Sequence, residues 1–158
     1  MANYTSEVQQ LIITQIKLEF QASHIYRGLS YFFNHPEIAY PGFAKYFHNE
    51  AEEELTHAES FIKYHQDRGC FVHTPKIRSF DSNLSIVEAL KYALRFEQKV
   101  LKNLIMINQI SDSQTQVFIE DYISMQTKSI SELTSLLSKT KRVKNNPIGL
   151  YLLDKELQ

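Results

Sequence analysis

The sequence predicts an all-α fold, a four-helix bundle with one long crossover connection and a short fifth helix at the C-terminus. Three observations support this prediction. Apolar residues recur at three- and four-residue spacing over four long segments. The 158 residues include only four glycines and four prolines, so few residues interrupt the helices. One connection of about fifteen residues has no clear period, which suits a chain that crosses a bundle from end to end.

The first two helices are predicted to be joined by a short link. The first carries an apolar stripe from Val8 to Phe33, and "NHPE" then interrupts it. "YPGF" begins the second helix, with Pro41 suited to a first turn. This helix should run to about Gln66 and end at Gly69, because glycine favours the left-handed conformation found at helix ends.

The second pair of helices follows the crossover "GCFVHTPKIRSFDSN". The third helix fits "LSIVEALKYALRFEQKVLKNLIMINQI", and its apolar face comprises Ile86, Leu90, Ala93, Val100 and Leu104. A turn, "SDSQT", is predicted before the fourth helix, which fits Gln116 to about Lys139. The stripe of that helix comprises Ile123, Ile130, Leu133 and Leu137. A polar linker, "KTKRVKNN", leads to Pro147 and the short helix "IGLYLLDKEL".

Composition narrows the class of protein. Hydrophobic residues make up 43% and charged residues 22%, as in an ordinary globular chain, and residues 1–158 are expected to form a single domain. The formal net charge of −1 provides no basic field for nucleic acid. No apolar run approaches membrane-spanning length, and the N-terminus lacks a signal-peptide pattern. With the lone Cys70 excluding an internal disulfide, a cytoplasmic protein is expected.

Each of the four predicted stripes is interrupted by polar residues near the middle of its helix. They are Glu19 and, two turns on, Tyr26 in the first helix, Glu54 and His57 in the second, Glu97 in the third and Gln126 in the fourth. Taken singly, such a glutamate usually extends to solvent, and the tyrosine and glutamine are ordinary core residues. If the helices pack roughly in register, however, all these side chains meet at one level of the bundle.

Buried carboxylates repel one another and are costly to desolvate, so three of them at one level indicate bound cations. An oxygen-rich set with a single imidazole suits iron better than structural zinc, which prefers thiolate and histidine. The sequence therefore predicts a metal site in the middle of the bundle.

Five segments of the chain resemble the ferritins, and specifically the heavy-chain type with ferroxidase activity. They are "LEFQASHIYRGLSYFF", "YPGFAKYFHNEAEEELTHAESFIKYHQDRG", "ALKYALRFEQKV", "YISMQTKSISEL" and "YLLDK". The second is the most specific. Only one E-x-x-H motif is present, because Ser129 stands where a second histidine would follow Gln126, and this argues against the symmetric di-iron proteins.

The resemblance implies a di-iron ferroxidase centre with no haem. It assigns Glu19, Glu54 and His57 to the first iron, with Glu54 bridging. Glu97 becomes the main ligand of the second iron, with Glu53 assisting. Gln126 would orient water or oxygen, and Tyr26 would form a hydrogen bond beside the centre. The implied reaction oxidises Fe(II) with O2 and moves ferric iron into a hollow shell, a homo-oligomer of twenty-four subunits, as mineral.

The sequence also departs from the family's pattern. The turn before the fourth helix is several residues shorter, and at least one ring of acidic residues in the threefold channel through which iron enters is lost. Counting back from Gln126 puts Gln116 and Ile119 at those positions, whereas alignment on "FIE" puts Val117 and Glu120 there. Glu156 replaces a common histidine of the fourfold channel. Glu50, where the family usually has a neutral residue, is either an extra transfer ligand or a solvated carboxylate.

Two alternatives to a ferroxidase subunit remain. A structural subunit of the light-chain type would co-assemble with other chains, but light chains lose the ligands that are present here. A small di-iron enzyme without a shell would have little use for the amphipathic fifth helix, whereas a shell can bury that helix at a symmetry axis.

Overall fold

The computed structural model describes residues 4–158, and these residues form five helices without a strand. The helices are α1 (Ser6–Phe33), α2 (Pro41–Asp67), α3 (Ile86–Ile110), α4 (Ser113–Val143) and α5 (Pro147–Leu157). The predicted all-α fold, with four long helices and a short fifth, is confirmed. No helix of the described residues is both long and apolar enough to cross a membrane.

Hydrogen bonds between helices show how the four long helices run. Ser23 Oγ donates to the Ala51 carbonyl at 2.7 Å and Ser30 Oγ to the Ala44 carbonyl at 2.8 Å. Residue numbers therefore rise along α1 as they fall along α2, so the two helices are antiparallel. The same is true of α3 and α4. The long crossover between α2 and α3 returns the chain to the far end of the bundle, as one of the standard bundle connectivities requires.

Most helix ends lie where the sequence placed them. Pro41 occupies the first turn of α2, and Gly69, with φ of 81°, follows the end of that helix. Ser85 and Glu88 form a capping box at the start of α3, so this helix begins at Ile86 rather than at Leu84.

Helix α4 is longer at both ends than the sequence predicted. It begins at Ser113 instead of Gln116, because Asp112 acts as its N-cap and accepts from the Thr115 amide at 2.9 Å. Arg68, at the end of α2, donates to the other Asp112 oxygen at 2.7 Å and holds the cap in place. At the other end α4 continues through most of the predicted polar linker to Val143.

Helix α5 is attached at the start of α2. Tyr40, the N-cap of α2, provides no side-chain cap, and Asp154 of α5 instead accepts from the Phe43 amide at 2.9 Å. Gly42 allows this approach, since a Cβ there would lie 1.8 Å from the Asp154 carbonyl oxygen. The short helix thus supplies the cap that the local sequence of α2 lacks.

The interior consists of two apolar clusters, one above the other along the bundle. We call them the α5-side cluster and the N-terminal cluster. The α5-side cluster includes Ala22, Leu29, Phe47, Ala51, Ala93, Leu133 and Leu153. The N-terminal cluster includes Val8, Ile16, Leu18, Phe61, Val100, Leu104 and Ile119. On every long helix the chain passes from one cluster to the other, and the residues between them form a separate layer.

Candidate metal centre

The layer between the two apolar clusters is polar and closed to solvent. Its side chains come from all four long helices. The exposed fractions are 1% for Glu19, 4% for Glu54, 3% for Glu97 and 4% for Gln126. Each lies on its helix between a residue of one cluster and a residue of the other, which is why four amphipathic helices bury polar groups at this height.

Glu19, Glu54 and His57 form the tightest group of potential metal ligands in the described residues. One ligand atom from each of the three lies within 4.8 Å of the other two. His57 Nδ1 is 3.5 Å from Glu54 Oε2 and 3.9 Å from Glu19 Oε2. Glu54 and His57 meet because residues three apart are neighbours on a helix, and Glu19 faces them from the antiparallel α1.

Two carboxylate oxygens in this group are buried without a hydrogen-bond partner, Glu19 Oε2 and Glu54 Oε2. Burial raises the pKa of Glu19 well above its usual range, and the neighbouring Glu54 raises it further. Burial raises the pKa of Glu54 to about 8. Buried polar atoms nearly always have a partner in folded proteins, so two unpartnered oxygens facing one imidazole nitrogen suit a cation between them.

Glu97 lies outside that group, and its two oxygens are already in use. Tyr26 donates from its hydroxyl to Oε1 of Glu97, and Gln126 donates from its amide to Oε2. Gln126 also donates to the Glu97 backbone carbonyl at 3.1 Å. Burial raises the pKa of Glu97, although these hydrogen bonds oppose the rise. Both donors thus hold the third carboxylate of the layer in a fixed orientation.

Two further acidic residues of α2 lie at the edge of the layer. Glu53 is largely exposed, and its Oε1 is 3.7 Å from Nε2 of His57, on the side of the ring away from Glu19 and Glu54. Glu50 is half-buried, and burial, with Glu53 nearby, raises its pKa to about 7. Neither belongs to the group whose ligand atoms converge within 4.8 Å.

Two residues that orient Glu19 were not predicted from the sequence. Gln15, one turn earlier on α1, donates to Glu19 Oε1 at 2.6 Å. Asn103 of α3 donates in turn to the side-chain oxygen Oε1 of Gln15 at 2.8 Å. Both are buried polar residues on helix faces that were predicted to be apolar. Gln15 lies one turn before Glu19, and Asn103 lies at the height of Gln15. These positions were the signal that could have identified them.

The start of α4 distinguishes between the two alignments left open for the channel positions. Ile119 is fully buried in the N-terminal cluster, and Gln116 donates to the Asn108 carbonyl at 3.0 Å. Val117, by contrast, is 69% exposed, and Glu120 is also exposed. Of the two pairs, only Val117 and Glu120 therefore lie together at the surface of the subunit.

Comparison with known proteins identifies relatives over nearly the whole chain. The family profile of the ferritin-like domain matches residues 9–143. Soma ferritin of Lymnaea stagnalis is 34% identical over 161 positions, which cover 98% of this chain and 92% of that protein. Chloroplastic ferritin of Malus baccata var. xiaojinensis is 32% identical, with 98% and 66% covered. Ferritin of Pacifastacus leniusculus is 29% identical, with 99% and 90% covered.

Proposed function

The chain belongs to the ferritin family, and from that premise we propose that it is an iron-storage subunit with ferroxidase activity. It would oxidise Fe(II) with O2 inside the bundle and deposit ferric mineral in a hollow shell. The observation that carries this proposal is the pair of unpartnered buried oxygens on Glu19 and Glu54, which face the same nitrogen of His57.

Fe(II) is the substrate, and the first ion would bind to Glu19, Glu54 and His57. The two carboxylates supply negative charge in a layer closed to water, where an ion pair is stronger than in solution. The imidazole would supply Nδ1, and its ring packs on Tyr122 in a T-shaped arrangement with centroids 5.6 Å apart. Oxygen-rich coordination with one imidazole favours iron over a structural zinc ion.

The second ion would bind beside Glu97, with Glu54 shared between the two ions. Tyr26 and Gln126 hold Glu97 in position, so a ligand oxygen becomes available when one of these hydrogen bonds lengthens or is shared. Glu53, which is open to solvent beside His57, would assist at the edge. Iron would supply the redox chemistry, because two Fe(II) would give one electron each to O2, which becomes hydrogen peroxide on taking up two protons. The protein supplies orientation and charge neutralisation.

Assembly into a shell of twenty-four subunits is part of the same proposal. Helix α5 exposes three large apolar side chains, Ile148 at 72%, Tyr151 at 60% and Leu152 at 60%. A single bundle in water gains nothing from such exposure, whereas contacts between copies of a shell subunit would cover it. A cytoplasmic location stays a prediction, and one relative is named as chloroplastic.

The test compares a site variant with a matched control on the same helix. The double variant Glu54→Ala, His57→Ala removes two of the three converging ligands. Glu59→Ala, His48→Ala removes the same residue types from exposed positions of α2. Fe(II) is added aerobically to each iron-free protein, ferric absorbance is followed, and the product is sized by exclusion chromatography.

We expect both variants to elute at shell mass and only the site variant to lose rapid oxidation. Wild-type oxidation rates in an assembled site variant would contradict the assignment. If the unaltered chain oxidises iron slowly and forms shells only with a partner ferritin chain, it is a structural subunit of the light-chain type. If it oxidises iron but elutes as a monomer or dimer, the result supports the ferroxidase centre and contradicts the storage role.

A further inference from the structure

A basic cleft lies on the outside of the bundle between α1, α3 and the crossover, and none of the residues of the buried polar layer lines it. Its volume is about 540 Å³. Four cationic side chains line it, Lys17 from α1, Arg78 from the crossover, and Arg95 and Lys99 from α3. No carboxylate is among its lining residues. In a chain whose formal net charge is −1, this is a local concentration of positive charge.

Aromatic side chains line the same cleft. Phe80 of the crossover and Tyr92 of α3 have ring centroids 5.0 Å apart, with an angle of 51° between their planes. Phe96 lies one turn after Tyr92, and Lys99 Nζ is 5.9 Å from the centre of its ring. All three rings are half-buried, so each keeps an accessible surface. A planar apolar group entering the cleft would find aromatic surface beside cations.

The helical sides of the cleft follow from residue spacing. On α1 the lining residues begin at Thr14 and include Lys17 three residues later; on α3 Tyr92 and Arg95 have the same three-residue spacing. Each set therefore forms one exposed face of its helix. The crossover is fixed on α1, because Gln21 donates to the Arg78 carbonyl at 3.1 Å and accepts from the Arg78 amide at 2.8 Å.

The four cations have no acidic partner among residues 4–158. The ion pairs of the described residues use other basic side chains, including Arg27, Lys63, Lys128 and Lys139. All four side chains are exposed at the cleft. Neighbouring like charges repel one another, so an anion in the cleft would be attracted by all four.

We propose that this cleft binds a nucleoside di- or triphosphate. The base would pack against the aromatic side chains, and the phosphates would contact Lys17, Arg78, Arg95 and Lys99. Arginine and lysine are the usual phosphate ligands of proteins, and cations beside aromatic rings favour planar groups. The volume lies in the range of small-molecule sites, which favours a nucleotide over an extended polyanion. The inference is independent of the ferroxidase proposal, because no metal ligand lines the cleft.

The test uses the assembled protein after removal of iron, with a chelator present. Isothermal titration is carried out with ATP, with adenosine and with inorganic tripolyphosphate, at 50 and at 200 mM salt. We expect ATP to bind, and to bind more weakly at the higher salt concentration, since surface charges are screened. Adenosine and tripolyphosphate should each bind at least about tenfold more weakly than ATP, because each lacks one half of the contacts.

Matched variants locate the binding. Arg95→Gln, Lys99→Gln removes two cations of the cleft, and each lost charged hydrogen bond should weaken ATP about tenfold. Lys63→Gln, Lys128→Gln removes the same net charge from exposed helix positions and should leave the affinity within about twofold.

Three outcomes would overturn the proposal. One is the absence of ATP binding at millimolar concentration, which would leave an acidic protein partner as the better explanation of the charge. Another is equal affinity for tripolyphosphate and ATP, which would mean a simple anion site without recognition of the base. The third is an Arg95→Gln, Lys99→Gln variant that binds ATP as tightly as the unaltered protein.

Discussion

Replacing Glu54 by glutamine is expected to stabilise the iron-free protein and to remove the iron oxidation proposed above. Glu54 is buried beside Glu19, and its Oε2 has no hydrogen-bond partner. Without metal the folded protein must either keep a charge there or take up a proton. Glutamine has nearly the same shape and carries no charge, so it removes this cost.

The magnitude follows from the pKa of Glu54, which burial raises from 4.5 to about 8. Between these two values the folded state binds more protons than the unfolded state, so stability falls as the pH rises through this window. At pH 7 the cost is about 3 kcal/mol, and at pH 5 it is less than about 1 kcal/mol. For a subunit of this size, 3 kcal/mol corresponds to a rise of about 6 to 12 °C in melting temperature.

Scanning calorimetry of the iron-free protein at pH 5 and pH 7 measures the effect. Glu59→Gln is the control, because Glu59 is an exposed carboxylate on the same helix, and its loss should change stability by less than about 0.5 kcal/mol. The reasoning is refuted if Glu54→Gln lowers the melting temperature at pH 7, or if its effect is the same at both pH values. Either result would mean that Glu54 is stabilised in the apoprotein by contacts that compensate its burial.

Three further predictions concern residues around the centre and at the helix ends. Gly42→Ala should release α5, since a Cβ at Gly42 would lie 1.8 Å from its backbone, whereas Gly28→Ala meets only ordinary contacts and is the control; limited proteolysis of the C-terminus measures this. Arg68→Met should destabilise the fold by about 2 kcal/mol at pH 7, as the loss of a charged hydrogen bond does. Arg68 holds the pKa of Asp112 well below its usual value, so this contribution is lost as the pH falls below about 4, and urea unfolding at pH 7 and pH 3 should show the difference shrinking. Gln15→Leu removes the hydrogen bond that lowers the pKa of Glu19. The pH profile of iron oxidation should therefore move to higher pH, with assembly unchanged.

Every apolar residue predicted to face the core from α3 is buried there, although the buried face also includes Ala89, Asn103 and Ile107, whereas the predicted stripe of α4 is only partly buried. All five residues of the predicted α3 stripe are buried. On α4, Ile123 and Ile130 are half-buried. The buried positions of α4 repeat every seven residues through Ile119, Gln126 and Leu133. Ile123 and Ile130 lie beside this line of buried positions, and their hydrophobicity alone did not show that they are only partly covered.

The start of α4 depended on a contact from a distant part of the chain. The turn "SDSQT" offers several residues that can cap a helix, and local sequence does not choose among them. Asp112 is the N-cap of α4 because Arg68 of α2 donates to its second oxygen at 2.7 Å and fixes its position. A pairing across 44 positions leaves no periodic signal in a single sequence.

The height of the candidate centre could be predicted, but its internal connections could not. The positions of Glu19, Glu54, Glu97 and Gln126 in the middle of four amphipathic helices indicated a common level. Whether the Glu97 carboxylate faces the other carboxylates or accepts hydrogen bonds from Tyr26 and Gln126 depends on side-chain rotamers, which the spacing of residues does not determine. In the structure, Tyr26 and Gln126 each donate to one oxygen of Glu97.

The arrangement of the core explains how the bundle tolerates a charged layer. Burial of a large aliphatic or aromatic side chain contributes roughly 1.5 to 3 kcal/mol, and each apolar cluster contains several that are fully buried. The three buried glutamates lie at one height, so the cost of burying their charge is confined to a few side chains while the clusters on either side keep the helices in register. Cations that bind the folded layer and not the unfolded chain add to stability. The same carboxylates that weaken the iron-free bundle would therefore bind Fe(II) most strongly, and Glu54→Gln tests this link because it should remove both effects at a single position.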